Sequence, residues 1–222
     1  MFIHQIFIMR FTMNQMGRLK IIDFSLIILG VLAILLSFIA YYNGLRFFGI
    51  SGILWFSYTA LFLVGLGVAT RNSYLIASQL TIILIPYIIW NIDFFYVFST
   101  GNSLWGITNY FFEPRESLAQ LISLQHIFII PISLLAIYFI KLKRKDFWKF
   151  SVVQITVFFF LIRILGDVER NVNCAFQNCF QNFPISTSIY PLVWFLGYLT
   201  MIGLTTLLLT RIKIFKANKK TK

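Results

Sequence analysis

Six stretches of roughly 20 mainly apolar residues, each bounded by a polar or charged cluster, set the terms for any fold of this chain. They run Ile21 to Tyr42, Phe48 to Thr70, Ser73 to Ile92, Leu118 to Ile140, Phe147 to Leu165 and Tyr190 to Thr210. A helix needs about 20 such residues to cross a bilayer core. A soluble chain of 222 residues, 59% hydrophobic and 12% charged, could not hide so much apolar surface in one core. The expectation is therefore all-α: a polytopic membrane helix bundle of about six transmembrane helices. The thinnest division lies between the second and third stretches, which only Arg71 and Asn72 separate.

The charges test this division independently. The formal net charge of +12 suggests nucleic acid at first, but the basic residues stand in short clusters without the interleaved aromatics of a strand-binding surface, so nucleic acid is not expected as a partner. With the N-terminus inside, all of the 19 Lys and Arg except Arg46, Arg115, Arg163 and Arg170 fall on the inner side. Cytoplasmic loops of membrane proteins carry this excess, which predicts an N-in, C-in topology with both termini in the cytoplasm of a bacterial inner membrane. The organisation expected is an amphipathic basic segment over 1–20, a six-helix domain over 21–210 and a basic cytoplasmic tail over 211–222. The first span is too long for a signal h-region and lacks an Ala-x-Ala site, so it reads as an uncleaved anchor. The segment before it is expected to lie on the inner membrane surface with Phe2, Ile6 and Phe7 dipping in, or else to be a frayed start ahead of Met13 or Met16.

Polar groups within a bilayer are costly and tend to face the bundle interior, so they are the best pointers to function. His126 falls about 12 Å down the fourth span at 1.5 Å per residue. Ser123 and Ser133 share its face, and Pro131 frees the carbonyl of Ile127 beside it. In the fifth span Thr156, Arg163, Asp167 and Arg170 align if the helix continues past Leu165, and Arg163 then either pairs with Asp167 or snorkels to lipid phosphate. Asn91 and Asp93 from the third span, and Asn171 and Asn173 after the fifth, reach the same outer level. Outer helix ends hold polar residues in any membrane protein, so the bland reading competes with a ligand site.

Between the third and fourth spans, Asp93 to Ser117 is rich in aromatic residues and suits an interfacial, re-entrant or surface-lying piece better than a free loop. Cys174 and Cys179 lie in an outer loop, where a disulfide is the expected state and a reactive thiol pair the alternative. No Gly-rich phosphate loop, His/Cys metal spacing or Gly-x-Ser-x-Gly occurs, so no cofactor and no metal are expected.

The run Leu121-Ile-Ser-Leu-Gln125-His126, Pro131 beyond it, a basic inner loop and Asn171-x-Asn173 followed by cysteine resemble a family of polytopic transmembrane cysteine acyltransferases. Uncharacterised bacterial membrane proteins carry patterns similar to Asp93-Phe94, Gly101 and Gly106-x-Thr108-x-Tyr110-x-Phe112 ahead of such a segment. The resemblance covers roughly residues 70 to 200 and implies a Gln-His pair opening one helix and a glycerophospholipid substrate. It breaks where the family places its acyl-accepting cysteine, because Arg71-Asn72-Ser73-Tyr74 contains none. The resemblance thus implies the fold more strongly than the reaction.

Two functions follow as expectations. The first is lipid binding or lipid modification through a polar pocket open to the outer side, with His126 and Arg163 as catalytic candidates. Asn91, Asp93, Gln125, Asp167, Asn171 and Asn173 would bind the substrate, and the partners would be membrane lipids and a lipid or small-molecule ligand. The second is a non-enzymatic membrane assembly partner, small-solute binder or transporter component.

Overall fold

The computed structural model describes residues 2–114, 117–180 and 185–216, with 2–20 described by backbone alone. Among them the chain forms α1 (Phe2–Phe48), α2 (Ile50–Ile53), α3 (Phe56–Ala69), α4 (Ser73–Thr100), α5 (Asn109–Phe112), α6 (Ser117–Ser123), α7 (Gln125–Ile140), α8 (Phe147–Leu165) and α9 (Tyr190–Arg211). No strand forms among the described residues. Among the described residues five helical segments are long and apolar enough to cross a membrane: Ile21–Phe48, Ser73–Thr100, Ser117–Ile140, Phe147–Leu165 and Tyr190–Arg211. The protein is an all-α, multi-pass membrane helix bundle.

The stretch Phe48 to Thr70, expected as one span, is broken. α1 continues to Phe48, a single turn follows as α2, and Leu54 and Trp55 interrupt the helix before α3 begins at Phe56. The 14 residues of α3 rise about 21 Å, short of a hydrocarbon core of about 30 Å. In compensation, α4 runs past Ile92 to Thr100. The backbone of residues 2–20 continues α1 without a break, where a separate surface segment was expected. The basic residues of 217–222, together with Arg115 and Glu116, lie outside the described residues.

Helix α4 is the axis of the bundle. It packs on α3, α7, α8 and α9, and 61% of its most apolar window is buried against 17% for α1. α1 packs chiefly on α3, backbone to backbone: a Cβ added at Gly30 would stand 2.6 Å from the Gly65 carbonyl oxygen. Small residues that let helices approach this closely are how membrane helices gain packing energy where burial itself gains little.

Helix α4 meets α8 through a polar seam. The carboxamides of Gln79 and Gln154 each donate to the other's oxygen, at 2.8 and 3.1 Å. Beside them Thr81 Oγ1 donates to Ser151 Oγ at 2.6 Å, and Ser151 Oγ donates to the Ser78 carbonyl at 2.8 Å.

The loops gather at two ends. At one, Arg71 pairs with Asp23 and Arg144 lies 4.8 Å over the Tyr74 ring. There too the Leu142 N–H donates to the Phe215 carbonyl at 2.7 Å, and Lys141 Nζ donates to that of Ile214 at 2.8 Å. This is the basic end. On it the Arg144 guanidinium, hydrogen-bonded to Asp146, holds that carboxyl below its ordinary range. The opposite end carries the α1–α3 break, the segment after α4 and the loop after α8.

Candidate functional site

Five of the six residues expected to bind a substrate, Asn91, Asp93, Asp167, Asn171 and Asn173, instead bond the protein's own backbone. Asp93 is fully buried. Its Oδ1 accepts from Ser103 Oγ and from the N–H groups of Leu104 and Trp105, each at 3.0 Å. Its Oδ2 accepts from the Thr108 N–H and hydroxyl, at 2.9 and 2.8 Å. The aromatic segment is thereby folded back along α4, so that Phe111 and Phe112 pack on Phe94 and Tyr110 accepts from Trp90 Nε1 at 3.0 Å.

Asn173 fastens the helix break. Its Oδ1 accepts from the Phe56 N–H at 3.0 Å, and its Nδ2 donates to the Leu54 carbonyl at 2.7 Å. Those are backbone groups that the interruption leaves without helical partners. Asn171 organises the loop itself, with Oδ1 accepting from the N–H groups of Phe176 and Gln177 and Nδ2 donating to the Gln177 carbonyl at 2.7 Å. Both asparagines have left-handed backbone, φ 44° and 52°, a conformation that Asn tolerates better than most residues. Cys174 and Cys179 are joined in a disulfide that closes this loop. Tyr190 Oη and Trp194 Nε1 hold it to α9 through the Cys174 and Asn173 carbonyls.

The charged face expected along the fifth span does not form. α8 ends at Leu165, and Gly166 turns to extended backbone at φ −79°, ψ 151°, so Asp167 and Arg170 leave the helical register. Asp167 pairs with Arg170 at 3.1 Å, and its N–H donates to Ser51 Oγ at 2.8 Å. Arg163 is exposed and lies 5.0 Å over the Phe176 ring. His126 lies on α7, which packs on α3 and α4, whereas α8 packs on α4 and α9. The two catalytic candidates therefore occupy different faces of the bundle.

His126 faces α4. Its ring stacks on Trp90, centroids 4.7 Å apart, with Tyr87 at 4.4 Å. Its Nδ1 lies 2.7 Å from the Ser123 carbonyl, an oxygen that only accepts, which places the proton on Nδ1. Asn91 Nδ2 donates to the backbone carbonyls of Tyr87 and His126, at 2.7 and 2.9 Å, tying α4 to the opening of α7. This is an aromatic and amide clamp between two helices.

The neighbouring residue behaves differently. Gln125 is 3% exposed, and among the described residues neither its Nε2 nor its Oε1 has a hydrogen-bond partner. Among the described residues it is the single polar one lining a cavity of about 350 Å³ between α1, α3 and the α6–α7 corner. The apolar walls come from Leu29, Ala33 and Leu36 of α1, Leu61 and Val64 of α3, and Ile129 and Ile132 of α7. Leu32, Leu121 and Phe128 stand at its rim, 56%, 59% and 57% exposed, so the cavity is a groove open at the side of the bundle. Of the candidate site residues named from the sequence, Gln125 alone lines it. The Gln79–Gln154 seam escaped sequence inspection. Its available signal is Ser78-Gln79-x-Thr81 and Ser151-x-x-Gln154, polar residues three apart in otherwise apolar runs. Among the described residues no group of His, Cys, Asp and Glu is arranged to hold a metal ion. Comparison with models of protein families, with curated proteins and with solved structures finds no match.

Proposed function

We propose that this protein binds lipid within the membrane, holding an acyl chain in the groove between α1, α3 and α7 with Gln125 as its polar anchor. The observation that carries the proposal is Gln125 itself, a buried carboxamide without a partner in an otherwise apolar groove. Leaving a buried polar group unsatisfied costs about 1–3 kcal/mol, and no water reaches it in hydrocarbon. A bound molecule that pairs with it removes that penalty. The groove volume falls within the roughly 300–1,000 Å³ of small-molecule sites.

Binding is favoured over group transfer by what surrounds the groove. Its lining holds no nucleophile, His126 turns to α4, and Arg163 packs on Phe176. Ser73, in the region where the cysteine acyltransferases that this chain resembles carry their nucleophile, opens α4. Asn91, which meets His126, lies about 27 Å further along that helix at 1.5 Å per residue. We carry over that family's fold and not its reaction.

We further propose that the basic end faces the cytoplasm of a bacterial inner membrane. The excess of Lys and Arg supports this side, and a disulfide at the opposite end suits an oxidising compartment.

The test of the groove is photocrosslinking in nanodiscs with a diazirine-bearing fatty acid, followed by peptide mapping. Labelling is expected to concentrate on residues 29–36 and 121–132 and to fall in Ala33→Phe, which fills the groove. Labelling spread evenly over lipid-facing positions such as Ile164 and Leu204 would sink the proposal.

A further inference from the structure

We infer that the groove selects a single-chain lipid whose polar end both donates and accepts a hydrogen bond, a neutral carboxylic acid or a carboxamide, over an ester lipid. The inference rests on the groove reading above and names the class of its occupant.

The protein itself shows what a buried carboxamide in this bundle pairs with. Gln79 and Gln154 meet as donor and acceptor side by side, each satisfying the other. Gln125 has the same two functions, N–H donors on Nε2 and lone pairs on Oε1, and neither is satisfied. A partner that completes it must offer an acceptor and a donor together. An ester carbonyl offers only acceptors and would leave Oε1 unpaired. A carboxylic acid or a primary amide offers both, in the arrangement seen between Gln79 and Gln154.

Charge and depth narrow the class further. Among the described residues Gln125 is the single polar one of the lining and no cation accompanies it there, so an ionised head would be buried without a counterion, at high cost. A carboxylic acid is thus held in its protonated form. Gln125 lies about 12 Å along the helical stretch from Ser117 at 1.5 Å per residue, beneath the level of a phosphate headgroup. A cavity of about 350 Å³ sits near the small end of the ligand-site range of roughly 300–1,000 Å³, which suits one chain better than two. A helix of a second copy, about 10–12 Å across, could send only a side chain into it. Gln125 turns about its side-chain torsions to meet the head, while the tail follows Phe128, Ile129 and Ile132 toward the basic end.

The test is competition against the diazirine fatty acid by hexadecanamide, palmitic acid and methyl palmitate, read on the peptides of the groove. Hexadecanamide is expected to compete about three- to tenfold better than methyl palmitate, the ratio for one additional intramembrane hydrogen bond of about 0.6–1.4 kcal/mol. Palmitic acid should match the amide at low pH and lose ground as pH rises, because the anion lacks the donor. Gln125→Met, close in shape and without the amide, should bind all three alike. Equal competition by amide and ester in the wild-type protein would overturn the class while leaving the groove reading intact. Failure of every probe to compete would overturn the groove reading itself. A preference for the amide that persists in Gln125→Met would show that Gln125 does not read the head. The wild-type series decides the class even if the variant does not fold.

Discussion

Removing one carboxamide of the Gln79–Gln154 pair should destabilise the protein more than removing both. The two side chains are 0% and 8% exposed and exchange hydrogen bonds at 2.8 and 3.1 Å between α4 and α8. Gln79→Leu removes both bonds and leaves the Gln154 amide buried and unpaired. Interhelical hydrogen bonds in membranes are worth about 0.6 kcal/mol on average and up to about 1.7, and an orphaned buried amide costs about 1–3 kcal/mol. The single variant should therefore lose about 2–4 kcal/mol. Replacing both residues by leucine removes the orphan along with the bonds, an exchange that is close to neutral when shape is kept. A chain of this size shifts its Tm by about 2–4 °C per kcal/mol. Thermal unfolding in detergent should then show each single variant down by about 4–16 °C and the double variant above both. A double variant whose loss equals the sum of the singles would show that the amides do not act as a pair, and the reasoning applied to Gln125 would fail with it.

Asn173→Ala should orphan the Phe56 N–H and the Leu54 carbonyl at about 1–3 kcal/mol each, lowering Tm and speeding hydrogen exchange across residues 51–58; unchanged exchange there would contradict the fastening role. Gly52→Val puts a side chain into the Gly44 backbone, where α2 turns back against α1, so folded protein recovered by size-exclusion chromatography should fall sharply, whereas wild-type yield would mean that α1 and α2 do not touch there. Asp93→Asn aims an amide N–H₂ at a cluster of donors in either orientation, so limited proteolysis should cut the segment 101–112 faster than in wild type. Cys174→Ser opens a six-residue loop, and the chain-entropy relation puts the loss at about 2 kcal/mol, measurable as a lower Tm that added reductant does not lower further.

Hydrophobic patterning made the bundle legible, because five of the apolar stretches are long helices and the loops between them sort into a basic end and its opposite. The broken second stretch was not legible. Phe48 to Thr70 is apolar throughout, and nothing local announces that Leu54 and Trp55 leave the helix. The break persists because Asn173, more than a hundred residues away, supplies the missing backbone partners. Asp93, Asn171 and Asn173 stood out as polar groups at one end, which is correct in position, but sequence does not reveal whether such a group points at a ligand or at its own backbone. Arg163 and Asp167 were aligned by assuming a helix that Gly166 ends. Gln125 was legible only as the neighbour of His126. The two diverge because adjacent residues on a helix point about 100° apart, which sends His126 to α4 and Gln125 to the groove.

The central claim, that an acyl chain lies in this groove against Gln125, is tested most directly by a cryo-EM structure of the protein in lipid nanodiscs. The account predicts elongated density between α1, α3 and α7, with its polar end within about 2.7–3.2 Å of the Gln125 carboxamide. A groove closed by α1 moving onto α7, or a Gln125 amide hydrogen-bonded to another group of the protein, would contradict it.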